Sequence, residues 1–158
     1  MRGCTARTKE LVIGGWGISL GAVALLMAAA QEPALHAIVS DSAYATMQSL
    51  LRQDFGPAFC FIPGVRVIGQ LLYGIDPYDV RPIDVVAQIA PRPLLFIHGA
   101  ADTDVSPADM FQLATAASRG SQAHVQTWLV PDAHHIAAYA VDHSYTQHVA
   151  TFFMTELR

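Results

Sequence analysis

Ile13-Gly14-Gly15-Trp16-Gly17-Ile18-Ser19-Leu20-Gly21-Ala22 is the stretch whose reading decides the fold. It holds Gly17-x-Ser19-x-Gly21, with an apolar run before it and an alanine-rich helical run after it. A serine that attacks a carbonyl has to be pushed out of the end of a strand on a very tight turn. Glycines two residues to either side suit that turn, because a Cβ there is expected to collide with the strand or the helix. Strand, Gly-x-Ser-x-Gly and helix together make a nucleophile elbow.

Composition sets the frame around that stretch. The chain has 158 residues, 53% hydrophobic and 14% charged, with a formal net charge of −4. Its mean hydropathy is +0.33. This length carries one domain with a real core, and so apolar a chain suits a parallel sheet buried on both faces. The basic residues are scattered, which argues against nucleic acid as a partner. Cys4 and Cys60 are far apart and lack metal-ligand spacing, which fits a reducing, cytoplasmic setting. A rival reading makes Leu11 to Ala30, twenty residues without a charge, a signal peptide or membrane span. Four glycines and a serine in its first half weaken that reading.

Working outward, Leu11 to Gly15 reads as a short buried strand and Ser19 to Gln31 as a helix ended by Glu32-Pro33. Leu35 to Ser40 is a second strand. Asp41-Ser42 then marks an expected helix start, with the helix over Tyr44 to Gln53. From Phe55 to Arg81, turn residues punctuate aromatic and aliphatic ones, and the segment reads as an inserted lid or cap with a helix near Val65 to Leu72. Pro82 to Ile89 is a short helix, and Leu94 to Ile97 a third strand. Ser106-Pro107 opens a helix that runs to Ser118, with Ser106 as its N-cap. Val125 to Val130 is a fourth strand, and Asp142 to Leu157 the final helix. Strands alternating with helices predict an α/β fold with a parallel sheet of about four strands.

Ligands of such sheets sit at the carboxyl ends of the strands. Ser19 follows the first strand, Asp102 the third and His135 the fourth. A serine hydroxyl needs a base within reach, and the base needs an acceptor that sets its tautomer. Asp104 competes with Asp102, and Asp41 is a further candidate acid or a helix cap. His134 adjoins His135. His98 reads as structural, and His143 and His148, five apart in the last helix, do not share a face as metal ligands would.

From Val12 to Phe153 the chain resembles the carboxyl-terminal half of an α/β-hydrolase, of the esterase, dienelactone-hydrolase-like and prolyl-oligopeptidase-like kind. The resemblance rests on Gly17-Ile18-Ser19-Leu20-Gly21, on Pro93-Leu94-Leu95-Phe96-Ile97-His98-Gly99-x-x-Asp102-x-x-Val105, and on Val130-Pro131-x-x-x-His135. It implies a serine hydrolase for small-molecule esters, or else peptides, without metal or organic cofactor. Ser19 is then the nucleophile, His135 the general base and Asp102 the acid that orients it. The Leu20 N–H is then half of an oxyanion hole, and Phe59 and Phe61 shape an apolar substrate pocket. The family carries several strands and an oxyanion loop before its elbow. The chain is therefore expected to be the truncated piece of a longer enzyme, its first strand an open edge that invites self-association. A catalytically inactive remnant or interaction subunit is the alternative.

Overall fold

The computed structural model describes residues 11–57, 62–74 and 76–158. The strands are β1 (Ile13–Ile18), β2 (Leu35–Asp41), β3 (Leu94–Gly99) and β4 (Val125–Val130). They form one sheet in the order β1-β2-β3-β4, and every neighbouring pair is parallel. Helices separate them: α1 (Leu20–Ala29), α2 (Met47–Phe55), α3 (Ile62–Tyr73), α4 (Pro82–Val85), α5 (Pro107–Ala117), α6 (Ala138–Val141) and α7 (Tyr145–Glu156). Short 3₁₀ turns lie at Pro77–Asp79 and Val86–Ile89. The expected α/β architecture is present, with three of the four expected strands extended by one to three residues toward the site.

Period-two alternation splits the core into two layers. Ile38, Leu94 and Phe96 face one way, against Val23 and Leu26 of α1 and Met110 and Leu113 of α5. Ala37, Val39, Leu95 and Ile97 face the other way, against Tyr145, Val149 and Phe152 of α7. β3 is buried along its whole length, as a strand covered on both faces should be. Leu11 to Ala30 is not one long span: it divides into β1 and the ten-residue α1. Among the described residues, no helix is long and apolar enough to cross a membrane.

One expected helix start is corrected. Asp41 and Ser42 cap nothing, because β2 runs on through Asp41 and Ser42 turns into the left-handed region at φ 55°. The next helix begins instead at Met47. Thr46 is its N-cap, accepting from the Ser49 N–H at 2.9 Å, while the Thr46 N–H donates to Ser49 Oγ at 3.3 Å. This is a capping box with serine in the usual Glu/Gln position. Between α2 and α4, α3 leaves Val67, Ile68, Leu71 and Leu72 exposed. The outer edge of β1 has no strand partner among the described residues, and Leu11, Val12, Ile13 and Trp16 beside it are exposed.

Candidate active site

The turn after β1 is built by close packing. A Cβ on Gly17 would meet the Gly21 carbonyl oxygen at 2.6 Å and the Ala22 backbone at 2.8 Å, so α1 can start directly behind the strand only if residue 17 is glycine. The matching expectation for Gly21 does not hold, since a Cβ there would meet nothing within 4 Å. The sharpness falls on Ser19 itself, at φ 53° and ψ −123°. A side-chain-bearing residue in that region is strained by about 1–3 kcal/mol and stays there only if its surroundings hold it. The Ser19 N–H donates to the Asp41 carbonyl at 2.8 Å, and the Ser19 carbonyl accepts from Ala22 and Val23 of α1.

The loops after β3 and β4 meet in front of this serine. A Cβ on Gly99 would overlap the Ala133 carbonyl, so the missing side chain lets the 131–135 loop lie across the end of β3. The Ala101 N–H ties down the same carbonyl at 2.9 Å. His135 thereby reaches both partners: its Nε2 lies 2.9 Å from Ser19 Oγ and its Nδ1 2.8 Å from Asp102 Oδ2. His134 points elsewhere and is exposed.

Asp102 is held from all sides. Its Oδ1 accepts from the N–H groups of Asp104 and Val105, both at 2.9 Å. Its Oδ2 faces His135 and also His98 Nε2, at 3.2 Å. Burial alone would raise the carboxyl pKa, but hydrogen bonds from His98, Val105 and His135 outweigh burial and hold it at about 2. An ionised Asp102 requires the proton of neutral His135 on Nδ1. The Nε2 lone pair is then left to accept the Ser19 hydroxyl. Asp104, the competing acid, contributes its backbone to Asp102 and makes no side-chain bond to His135.

His98 is more than filler. It is fully buried, and its Nε2 also lies 3.0 Å from the Val105 carbonyl. Two acceptors at Nε2 place the proton there, and Nδ1 has no partner among the described residues. Its position, four residues before Asp102, was visible in the sequence, but its contact with the carboxylate was not.

Asp41, the other candidate acid, belongs to a different network. It accepts from Tyr145 Oη at 2.6 Å and Ser42 Oγ at 2.8 Å. Burial pushes its pKa up, against the lowering effect of those two hydroxyls. Burial and the Asp41 carboxylate push the Tyr145 phenol up as well. Tyr145 stands beside Trp16 and Trp128, with ring centroids 6.1 and 5.8 Å away. Nothing in sequence spacing joins residues 41 and 145.

Leu20 is the first residue of α1, where an N–H has no carbonyl one turn back, and it lines a cavity of about 380 Å³ together with Ser19 and His135. Phe59 and Phe61, expected in the substrate pocket, lie outside the described residues. His148 stacks on Trp128 at 4.2 Å. Among the described residues, no three His, Cys, Asp or Glu side chains gather as metal ligands.

Solved structures share this fold. An esterase of Pyrococcus furiosus is 17% identical with a TM-score of 0.67, covering 91% of this chain and 54% of its own. The acylaminoacyl peptidase of Pyrococcus horikoshii is 18% identical with a TM-score of 0.75, covering 94% of this chain and 24% of its own. A puromycin-hydrolyzing peptidase of Mycobacterium tuberculosis is 21% identical with a TM-score of 0.66, covering 90% of this chain and 21% of its own. The chain thus spans about half the length of the first and about a quarter or less of the other two. No curated protein matches the sequence in a direct comparison. The sequence pattern of the prolyl oligopeptidase family matches residues 5–158, and on that match the chain belongs to the prolyl oligopeptidase family, within the α/β-hydrolase superfamily.

Proposed function

We propose that this chain carries the catalytic residues of a serine hydrolase acting on carboxylic esters, with peptides or amides as the second substrate class. The observation that carries the reading is the hydrogen-bonded line from Ser19 Oγ through His135 to Asp102, at 2.9 and 2.8 Å. Ser19 Oγ attacks the substrate carbonyl carbon as its proton passes to His135 Nε2. The C–O double bond opens to an oxyanion, which the Leu20 N–H receives. His135, now an imidazolium stabilised by Asp102, returns the proton to the leaving oxygen or nitrogen as that bond breaks. Water, deprotonated by His135, then attacks the acyl-enzyme and releases the acid and Ser19. Preorganised donors and a fixed base act mainly by stabilising charge that develops in the transition state.

The segment from 55 to 81 is proposed as a cap over the cavity, on the support of the exposed apolar side chains of α3. The open edge of β1 is proposed to pair with a second copy of the chain. Cysteine usage places the protein in the cytoplasm.

Fluorophosphonate labelling with peptide mapping tests the reading. The probe phosphonylates a serine whose base and oxyanion site are assembled: the Oγ–P bond forms, the P–F bond breaks, and the serine proton leaves through the base. An adduct on Ser19 that Ser19→Ala abolishes is expected. Folded protein that takes up no probe would make the inactive, interaction-subunit reading the better one.

A further inference from the structure

The cavity beside Ser19 and His135 carries a charge that acyl transfer itself does not use. Tyr44, Met47, Leu50 and Val105 form an apolar part of its wall. Asp54 of α2 and Asp104 in the loop after β3 line the same cavity. Both are exposed, and neither carboxylate has an ion-pair or hydrogen-bond partner among the described residues. No lysine or arginine among the described residues lines the cavity. Arg52 lies two positions before Asp54, a spacing at which helical side chains do not face each other.

A second observation points to a ligand in the same place. Tyr44 lines the cavity wall and is 2% exposed, yet its hydroxyl has no hydrogen-bond partner among the described residues. Buried hydroxyls normally have one, and an unmade bond is costly. Burial pushes the Tyr44 phenol pKa up, which keeps it a neutral donor. The wall therefore offers one uncommitted donor, an aromatic ring and two uncompensated negative charges next to the nucleophile. A neutral acyl or alkyl chain would use only the apolar part. A substrate with a cationic nitrogen would also meet the two carboxylates and could lie against the Tyr44 ring.

We propose that the cavity selects esters or amides that carry a cationic nitrogen, held by Asp54 and Asp104, with an acceptor group offered to Tyr44. This rests on Ser19, His135 and Asp102 acting as proposed above. Exposed carboxylates act through a high dielectric, so the preference is modest and salt-dependent, about tenfold at low ionic strength.

The test uses the whole chain and two fluorophosphonates of equal length, one ending in a methyl group and the other in a trimethylammonium group. Labelling rates of Ser19 are measured in dilute buffer and in high salt, for the wild type and for Asp54→Asn/Asp104→Asn. The ratio of the two rates is the readout, so a general loss of reactivity in the variant leaves it legible. The cationic probe is expected to react about tenfold faster, with the ratio falling in salt and to within about twofold in the double variant. Equal rates for both probes, or an undiminished ratio in the double variant, would overturn the cation preference while leaving Ser19 as the nucleophile. No adduct from either probe would overturn the hydrolase reading and this inference together. A choline ester and a blocked lysine ester, each against a neutral isostere, then show whether the cation belongs in the leaving group or the acyl half. Preference for either supports the proposal, and preference for neither overturns it.

Discussion

Gly99 and Ala133 pack backbone against backbone: the Ala133 carbonyl occupies the space a Cβ on residue 99 would need, and the Ala101 N–H holds that carbonyl from the other side. This contact seats the 131–135 loop over β3 and so places His135 between Ser19 and Asp102.

Gly99→Ala should therefore displace the histidine loop. The obstructing atoms are backbone, so relief requires moving a strand or a loop. A loss of about 2–4 kcal/mol in chemical denaturation is expected, with labelling of Ser19 falling by more than tenfold. Gly21→Ala is the matched control. It adds a methyl to open space near the start of α1 and should be neutral or stabilising by up to about 1 kcal/mol. Equal damage from both substitutions would show that the packing at Gly99 is not what matters.

Asp102→Asn should keep the fold and lose turnover by about 10³–10⁴-fold, because an amide no longer enforces the Nδ1–H tautomer of His135. Steady-state esterase assays with the two proteins at equal concentration measure this. A loss of less than tenfold would remove Asp102 from the proposed machinery.

The same residue predicts a pH dependence of stability. Its folded pKa of about 2 lies below the ordinary value of 3.8, so its contribution is present above pH 4 and lost as pH falls through 2. The contribution is about 1–2 kcal/mol after allowance for screening. The stability gap between wild type and Asp102→Asn should narrow by that amount from pH 5 to pH 2, in denaturant titrations at each pH. Asp41 has the opposite sign. Its raised pKa favours the protonated form in the folded state, so its contribution is lost as pH rises through that pKa. Relative to wild type, Asp41→Asn should gain ground on going from acid to neutral pH.

Tyr145→Phe removes the buried donor to Asp41 and leaves that carboxyl with Ser42 alone. A cost of about 1–3 kcal/mol is expected, read as a lower thermal midpoint. The Asp41 pKa should rise further, since one of the two hydroxyls that oppose burial is gone. An unchanged midpoint would mean that the hydroxyl contributes no net stability.

His98→Phe keeps a buried ring but removes the Nε2–H that serves Asp102 and Val105. The Asp102 pKa should rise, and the acid-dependent gap described above should shrink. Turnover should fall by roughly tenfold, the loss of one hydrogen bond to a charged group. Wild-type acid behaviour in His98→Phe would assign His98 to packing only.

What the sequence by itself determined is what local chemistry carries. Apolar runs of strand length alternating with helical ones dictated a parallel α/β sheet. The order Ser19, Asp102, His135 at strand ends marked out which side chains could meet. Pro107 after Ser106 placed a helix start to the residue. Boundaries slipped where two short-range signals competed: Asp41-Ser42 looks like a cap, but parallel pairing with β1 and β3 carries β2 through Asp41, and the Thr46–Ser49 box starts the helix later. Only the tertiary structure decided the rest. Gly17 and Gly21 are equivalent in the motif, yet one is pressed against the helix backbone and the other faces open space. Asp41 and Asp102 are both acids at strand ends. One is bound to Tyr145, 104 positions away, and the other to His98 and His135. Such distinctions depend on which groups burial forces together across the two faces of the sheet, and the distance between two residues along the chain does not encode that.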